Sequence, residues 1–394
     1  MTVQPETRKQ TIIVGGGIAG ITCALKLKEA GVRYLLISEN IGGRICYKPE
    51  YAMNFGAVFY MQGYRNTREI LVPGKPVLPS YFDLGCHSQL DQVYGVISGP
   101  ILGAAPQLLK ILGYLKNTFK PHYESFKKNC ETMEMREAME ADSYISDLFR
   151  KSATDFISEL GFEKAAKALV SQFVYACTGT AIKTLNALDY CNCAMGLIDT
   201  AMRFTFDSAL MQEQLASDGG EVEIATVSSV NKSADGWGVV TNSGNRYEAD
   251  SLVLATPAYI TKELLEEVHP LGEIRNASKL YAHKVKGKLK PAYARHKLHL
   301  FDEGLPLINI GAREDGAYEV FTCEKLDMGL FFEEYEIIYE KDWDQALYTN
   351  PSLVLDQCLG DSLYMCGDHN ALGLEPAAVS GLFVANKIIE TEKA

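Results

Sequence analysis

The sequence predicts an α/β fold: a parallel sheet that serves a dinucleotide, interleaved with an α+β portion. Three stretches carry that expectation. A glycine turn stands between apolar runs at the start, a hairpin and strand ending in Ala255-Thr256-Pro257 stand mid-chain, and a strand, Gly367-Asp368 and a helix close it.

The first stretch is the most specific. Ile12 to Val14 is a short apolar run that reads as a buried strand, and it enters G-x-G-x-x-G at Gly15, Gly17 and Gly20. Ile21 to Ala30 carries helix formers, and Tyr34-Leu35-Leu36-Ile37 follows as a second strand. Strand, glycine turn, helix and strand in that order lift the glycine pattern above chance. Gly15 permits the tight turn, Gly17 lets a pyrophosphate approach the backbone, and Gly20 lets the helix pack on the sheet. The phosphates belong at the helix N-terminus, beside Ile18 and Ala19, where free amides and the macrodipole favour negative charge.

Composition bounds the rest. The 394 residues suffice for two domains with proper cores, and 47% hydrophobic and 22% charged content suits a soluble globular chain. A net charge of −12 argues against nucleic acid as a partner. Ten scattered cysteines, with no C-x-x-C and no paired Cys/His spacing, point to reduced thiols, no metal centre and a cytoplasmic protein. His296 and His299 lack a partner pair and read as solvated. Met1 to Gln10 is polar, so no signal peptide is expected, and no apolar run is long enough to span a bilayer.

After Ile37 come Ser38-Glu39-Asn40-Ile41-Gly42-Gly43-Arg44. A carboxylate at the end of the second strand suits a ribose hydroxyl pair, and Glu39 is the candidate. Gly42-Gly43-Arg44 offers open amides and a fixed cation for a pyrophosphate. G-x-G-x-x-G with a downstream G-G-R resembles the flavin-containing amine oxidase superfamily, which includes monoamine and polyamine oxidases, phytoene-type desaturases and protoporphyrinogen oxidase. The resemblance implies a Rossmann-like, glutathione-reductase-type domain that binds FAD. It also implies that Gly56, Ala57 and Val58 pass beside the flavin. Two departures stand out. The family's acidic position falls at Ser38, one before Glu39, and the loop from there to G-G-R is about three residues short and lacks a basic residue. A one-residue shift that brings Glu39 to the ribose is the favoured reading.

From Thr67 to about Ala201 helical patterns prevail, after a breaker cluster at Leu71 to Pro76. Ile101 to Lys116 and Ala153 to Val174 show apolar spacings of three and four. The apolar stretch Val96 to Leu115 reads as a core or pocket-lining helix, with an interfacial helix touching a membrane as the alternative. Strand grammar returns at Glu221 to Val227, Trp237 to Asn242 and Tyr247 to Pro257, where the resemblance places the backbone of Thr226-Val227 against the adenine. A short helix is expected at Lys262 to Val268 and strands at Lys279 to Lys290, Gly329 to Phe332 and Tyr335 to Tyr339.

The resemblance makes these strands the floor of a substrate site. It offers Lys284 as the nearest match to a catalytic lysine that holds water against the flavin, and Trp343 as the family's tryptophan before the closing motif. Phe59, Tyr60 and Tyr281 are candidate pocket walls. Many amine oxidases carry an aromatic cage residue where this chain has Gly373, which favours a bulkier or flatter substrate than a simple amine. In the last stretch the resemblance places Asp368, after Gly367, on the ribityl chain, and the amides of Ala377, Ala378 and Val379 at the flavin pyrimidine edge.

The domain division expected is 1–72, 205–260 and 350–394 for FAD and 73–204 and 261–349 for substrate. No second G-x-G-x-x-G for a nicotinamide is present, and Cys366 is not marked for covalent attachment, so non-covalent FAD reoxidised by oxygen or another acceptor is expected. The leading function is an FAD-dependent oxidase or desaturase of a small organic substrate. A flavin-dependent isomerase and a non-catalytic binding protein on the same fold are the alternatives.

Overall fold

The structure is a computed structural model that describes residues 7–393; the polar residues 1–6 of the expected leaderless start and Ala394 lie outside it. Two large sheets organise the chain. The first has eight strands, with Gly220–Ile224, Tyr34–Ser38, Thr7–Val14, Arg246–Leu254, Gly236–Thr241 and Val227–Ser233 side by side in that order. Its central pairings are parallel: Ile13 lies opposite both Leu36 and Val253, and Leu363–Met365 extends the parallel set beside Arg246–Leu254. Parallel strands covered on both faces read as continuous apolar runs, and Ile12, Ile13, Leu36, Ile37, Leu252 and Leu254 are each fully buried.

Two helices cover one face of this sheet. The glycine-turn helix, Ile18–Glu29, packs against the final helix, Leu374–Lys393. Gly381 makes the contact possible, because a side chain there would collide with the Ala19 carbonyl oxygen.

The second sheet has seven strands, from Phe332–Asn350 through Asn276–Leu289, Tyr318–Thr322, Leu307–Ala312 and Leu298–Phe301 to the hairpin Leu84–Gln89 and Gln92–Gly95. Helices between Gly99 and Ala194 build a third layer with its own core around Leu115, Phe119, Phe156 and Tyr190.

Several elements differ from expectation. The breaker cluster at Leu71 to Pro76 includes a strand, Val72–Pro76, which pairs with Ala201–Thr205; it is exposed, and an edge strand tolerates the missing N–H of Pro73 and Pro76. The hairpin Leu84 to Gly95 was not foreseen. Gly329 to Tyr339, read as two strands, is a turn followed by one strand of 19 residues, Phe332–Asn350. The helix expected over Ala153 to Val174 breaks at Gly161, which takes a φ of 66°. His299 is fully buried, against the solvated reading. The helix Gly99–Tyr114 buries Ala104, Leu108 and Ile111 in the core and leaves Leu102 and Leu109 exposed. No helix among the described residues is long and apolar enough to cross a membrane.

Candidate functional site

The glycine turn is built as its sequence requires. Gly15 adopts a φ of 112°, and a Cβ there would lie 2.6 Å from the Ala255 carbonyl oxygen. Gly20 could carry no side chain without striking the Gly15 carbonyl. Gly17 is different: a Cβ there would meet nothing within 4 Å, so the helix N-terminus opens onto free space. No side chain caps that N-terminus and no acid lies in its first turn. An uncapped helix start facing a space that only glycine leaves clear is a cradle for an anion.

The end of the second strand divides the work between neighbours. Ser38 turns inward: its hydroxyl accepts from the Gly16 amide at 2.8 Å and donates to the Asn40 carbonyl. Glu39 faces out, exposed, and accepts from the Thr226 hydroxyl at 2.9 Å, next to Val227 at the start of its strand. Ser38 is thus part of the scaffold, and the free carboxylate at this edge is Glu39.

The Gly42-Gly43-Arg44 loop departs from expectation. Its amides are not open: Gly42 donates to the Gly16 carbonyl at 2.7 Å and Gly43 to Asn40 Oδ1 at 3.0 Å. With the loop about three residues short, it folds directly onto the glycine turn, and a Cβ on Gly43 would stand 3.0 Å from Gly17 Cα. Nor is Arg44 free. Its guanidinium donates to the Ala346 carbonyl at 2.7 Å and pairs with Asp368, the strand-end acid after Gly367. Burial works against the Arg44 charge, but Asp368 outweighs it and the guanidinium is held above its ordinary range.

Gly56 and Ala57 run beside this loop. Ala57 donates to the Arg44 carbonyl at 3.0 Å, and Gly56 is close enough that a Cβ would overlap that oxygen. Val58 continues the segment as a half-buried residue. Around the Arg44–Asp368 pair lie two buried polar atoms without partners, Tyr348 Oη and His369 Nε2. Arg44 stands 5.6 Å from the Tyr348 ring, and burial lowers His369 to about 4, so it is neutral. Orphaned buried donors and acceptors beside an ion pair fit a polar ligand.

The final helix begins at Leu374 with Ala377, Ala378 and Val379 in its first turns. Ala377 donates to the Gly373 carbonyl at 3.3 Å, while Ala378 and Val379 are buried against the two cores. Glu375, which sequence reasoning passed over, is buried and accepts from the Arg65 amide at 2.8 Å, from the Asn66 and Thr67 amides and from both of those side chains. The signal in the sequence was an acid directly before Pro376, at the start of the final helix.

The substrate-side residues are more scattered. Tyr60 is buried in the core, packed on Phe204, and Phe59 is half-buried. Trp343 is an anchor whose indole donates to the Phe55 carbonyl at 2.6 Å, with Lys341 over its ring. Tyr281 is half-buried on Asn276–Leu289 beneath Lys325. Lys284, the catalytic candidate, is buried and committed: its ammonium pairs with Asp315 and donates to the Tyr51 carbonyl at 2.7 Å. Gly373 has a φ of 111°, a conformation an aromatic residue would resist, and Tyr64 places its hydroxyl 3.6 Å from where a Cβ would stand. An aromatic ring therefore does lie beside Gly373, brought from a distant segment.

The structure thus gathers the glycine turn, Ser38 to Arg44, Gly56-Ala57 and Asp368 through direct contacts, while Lys284, Tyr281 and Tyr60 serve other partners. The NAD(P)-binding Rossmann-like domain family matches residues 13–70. Comparison with curated protein sequences gives no match. Among solved structures, a double mutant of putrescine oxidase, made in a redesign of cofactor binding, superposes with a TM-score of 0.68 at 15% identity, covering 98% of this chain and 100% of that one. Wild-type putrescine oxidase bound to putrescine matches with a TM-score of 0.66 at 15% identity and the same coverage. Over nearly its whole length the chain therefore has the α/β fold seen in putrescine oxidase, with a Rossmann-like dinucleotide domain at its start.

Proposed function

We propose that this protein is an FAD-dependent oxidoreductase that takes hydride from a C–H of a small organic substrate, at a C–N or C–C position, and passes electrons to oxygen or another acceptor. The observation that carries this reading is the uncapped helix start at Gly17, open where a pyrophosphate belongs, within a chain that shares the fold of an oxidase from end to end. Bound FAD would supply an electron sink for hydride. The residues assigned to it are Gly15, Gly17, Ile18, Ala19 and Gly20 at the pyrophosphate, Glu39 and Val227 at the adenosine end, Asp368 at the ribityl chain, and Ala377 to Val379 at the pyrimidine edge. The first turn of the final helix favours negative charge there. Cys366 is fully buried with its thiol pushed up to about 12 by desolvation, which supports a non-covalent mode.

In this reading 1–72, 205–260 and 350–394 form the FAD domain, and 73–204 and 261–349 the substrate domain. Ten free cysteines support a cytoplasmic setting. Lys284 is proposed as a positioning residue that holds the Tyr51 turn, since its ammonium is already engaged. A second reading, a binding protein without turnover, draws on the Arg44–Asp368 pair and the spent amides of Gly42 and Gly43.

The visible spectrum separates them. Purified protein should show flavin absorbance, bleach anaerobically with one member of an amine panel, and form peroxide on re-aeration. Bound flavin that no substrate bleaches would favour the second reading. Product isomeric with substrate would indicate an isomerase, and protein that takes up no FAD would sink both flavin readings.

A further inference from the structure

Large apolar side chains stand exposed along one side of the helical layer. The hairpin Leu84–Gln89 and Gln92–Gly95 pairs Gly85 with Gly95, so Tyr81 and Phe82 before it and Ile97 after it emerge at the same end. Phe82 is 70% and Ile97 74% exposed, and Tyr81 is exposed as well. The helix Gly99–Tyr114 follows directly. Its inward face carries Ala104, Leu108 and Ile111, while Leu102, Pro106, Leu109 and Gly113, spaced four, three and four apart, share the opposite face. Leu102 is 62% and Leu109 73% exposed. A run of exposed apolar residues on one face marks an interaction surface, where single scattered ones would not.

The charges around this face are of one sign. No Asp or Glu occurs from Gln92 to Tyr123, although the chain's 50 acids spread evenly over 394 residues would place about four there. Lys116 continues the exposed face by one turn. Lys110 flanks it, reaching over the Phe162 ring to donate to the Leu160 carbonyl at 2.6 Å. Gln107 accepts from the Lys164 and Ala165 amides at 2.7 and 3.1 Å, which sets the exposed Lys164 and Lys167 beside the same helix. Among the described residues no ion pair takes up any of these four lysines, and Glu163 is the one acid adjoining them in the chain. In a protein of net charge −12 this is a local reversal of sign.

An apolar face edged by unpaired lysines matches the boundary of an anionic bilayer, where acyl chains take the leucines and headgroups the ammoniums. A second copy of the chain fits poorly, because a two-fold contact through this face would set the lysine cluster against itself. A protein partner finds little to bond: from Gly99 to Gly113 the only polar side chains are Gln107 and Lys110, and both are engaged. We propose that this face docks the protein on the surface of an anionic lipid membrane, with Leu102 and Leu109 among the acyl chains and Lys116 and Lys167 at the headgroups. The helix lies in the interface and does not cross it.

The full-length protein would be sedimented with sucrose-loaded vesicles of phosphatidylcholine, alone or with phosphatidylglycerol at about one part in three. Binding to the anionic vesicles is expected, and binding to phosphatidylcholine alone should be roughly tenfold weaker or less. Lys116→Gln and Lys167→Gln should each weaken the anionic binding about fivefold, the worth of one lysine at such a surface. Leu102→Gln with Leu109→Gln should abolish it, while Leu330→Gln with Ile337→Gln, exposed apolar residues elsewhere, should leave it unchanged. All these positions are exposed, so the variants keep the fold, and a matched urea midpoint checks this. No sedimentation with anionic vesicles, equal binding to both vesicle types, or binding retained without Leu102 and Leu109 would overturn the proposal. So would a dimer in light scattering that the same pair of substitutions dissolves.

Discussion

At the scale of single residues, the glycines separate folding from binding. A Cβ at position 17 meets nothing within 4 Å, whereas Gly20→Ala forces a Cβ into the Gly15 carbonyl. Gly17→Leu should therefore lose stoichiometric FAD on gel filtration while the urea midpoint of its apoprotein stays close to that of the original apoprotein. Gly20→Ala should lower the apoprotein midpoint as well, reflecting a stability loss typical of overpacking, about 1–3 kcal/mol. Retained FAD in Gly17→Leu would refute the placement of the pyrophosphate. The same residues show what sequence can reveal. Gly15, Gly17 and Gly20 were legible because their need is local: a turn, an approach, a crossing. The partners of Gly42, Gly43 and Arg44 were not, because Asn40, Gly16 and Asp368 take them only once the loop has folded back. Glu39 lay between these cases; the strand end was readable, but its separation from Ser38 depended on which side chain turned toward Gly16.

At the scale of elements, Glu375 ties the first turn of the final helix to the segment Arg65 to Thr67, far away in sequence. Its carboxylate receives five hydrogen bonds and makes none as a donor. Glu375→Gln turns an NH₂ group toward amides that are themselves donors. The loss is about 1–3 kcal/mol, the range for a buried group left unsatisfied. Arg65 and Arg68 are exposed on the tethered segment, so tryptic cleavage there should quicken in the variant, and an unchanged cleavage rate would show that the tether is not needed to hold the loop. Elements were read best where burial was uniform. The parallel strands near Ile13 and Leu36 announced themselves, but Phe332–Asn350 did not. It is an edge strand, paired only with Asn276–Leu289, and bulges such as that between Lys284 and Val285 disturb the alternation a strand should show.

At the scale of the whole molecule, buried histidines set the response to acid. His87 and His299 share a hydrogen bond of 2.9 Å within a cluster that stacks Phe301 at 4.3 Å and Tyr293 at 5.4 Å on His87. Burial, with His299 adding to it, pushes His87 down to about 3, and burial pushes His299 and His369 down to about 4. The native state therefore keeps these rings neutral, while the unfolded chain takes up protons as pH falls below about 6.5. Stability is fully present above that pH and declines below it, by about 1.4 kcal/mol per pH unit for each histidine, until the folded values are reached. Glu319 and Asp315 carry depressed values, so their contribution is lost only at lower pH, and the window from about 6.5 to 5 belongs to the histidines. The chain has a pI near 5.2, where self-association is favoured, so the measurement needs dilute protein in urea. The urea midpoint should fall steadily between pH 7 and 5.5, and His299→Gln should flatten that slope even as it lowers the midpoint at pH 7. A midpoint constant across the window would mean that the buried pair is already relaxed or hydrated in solution, and the acid response would then have to come from the carboxylates.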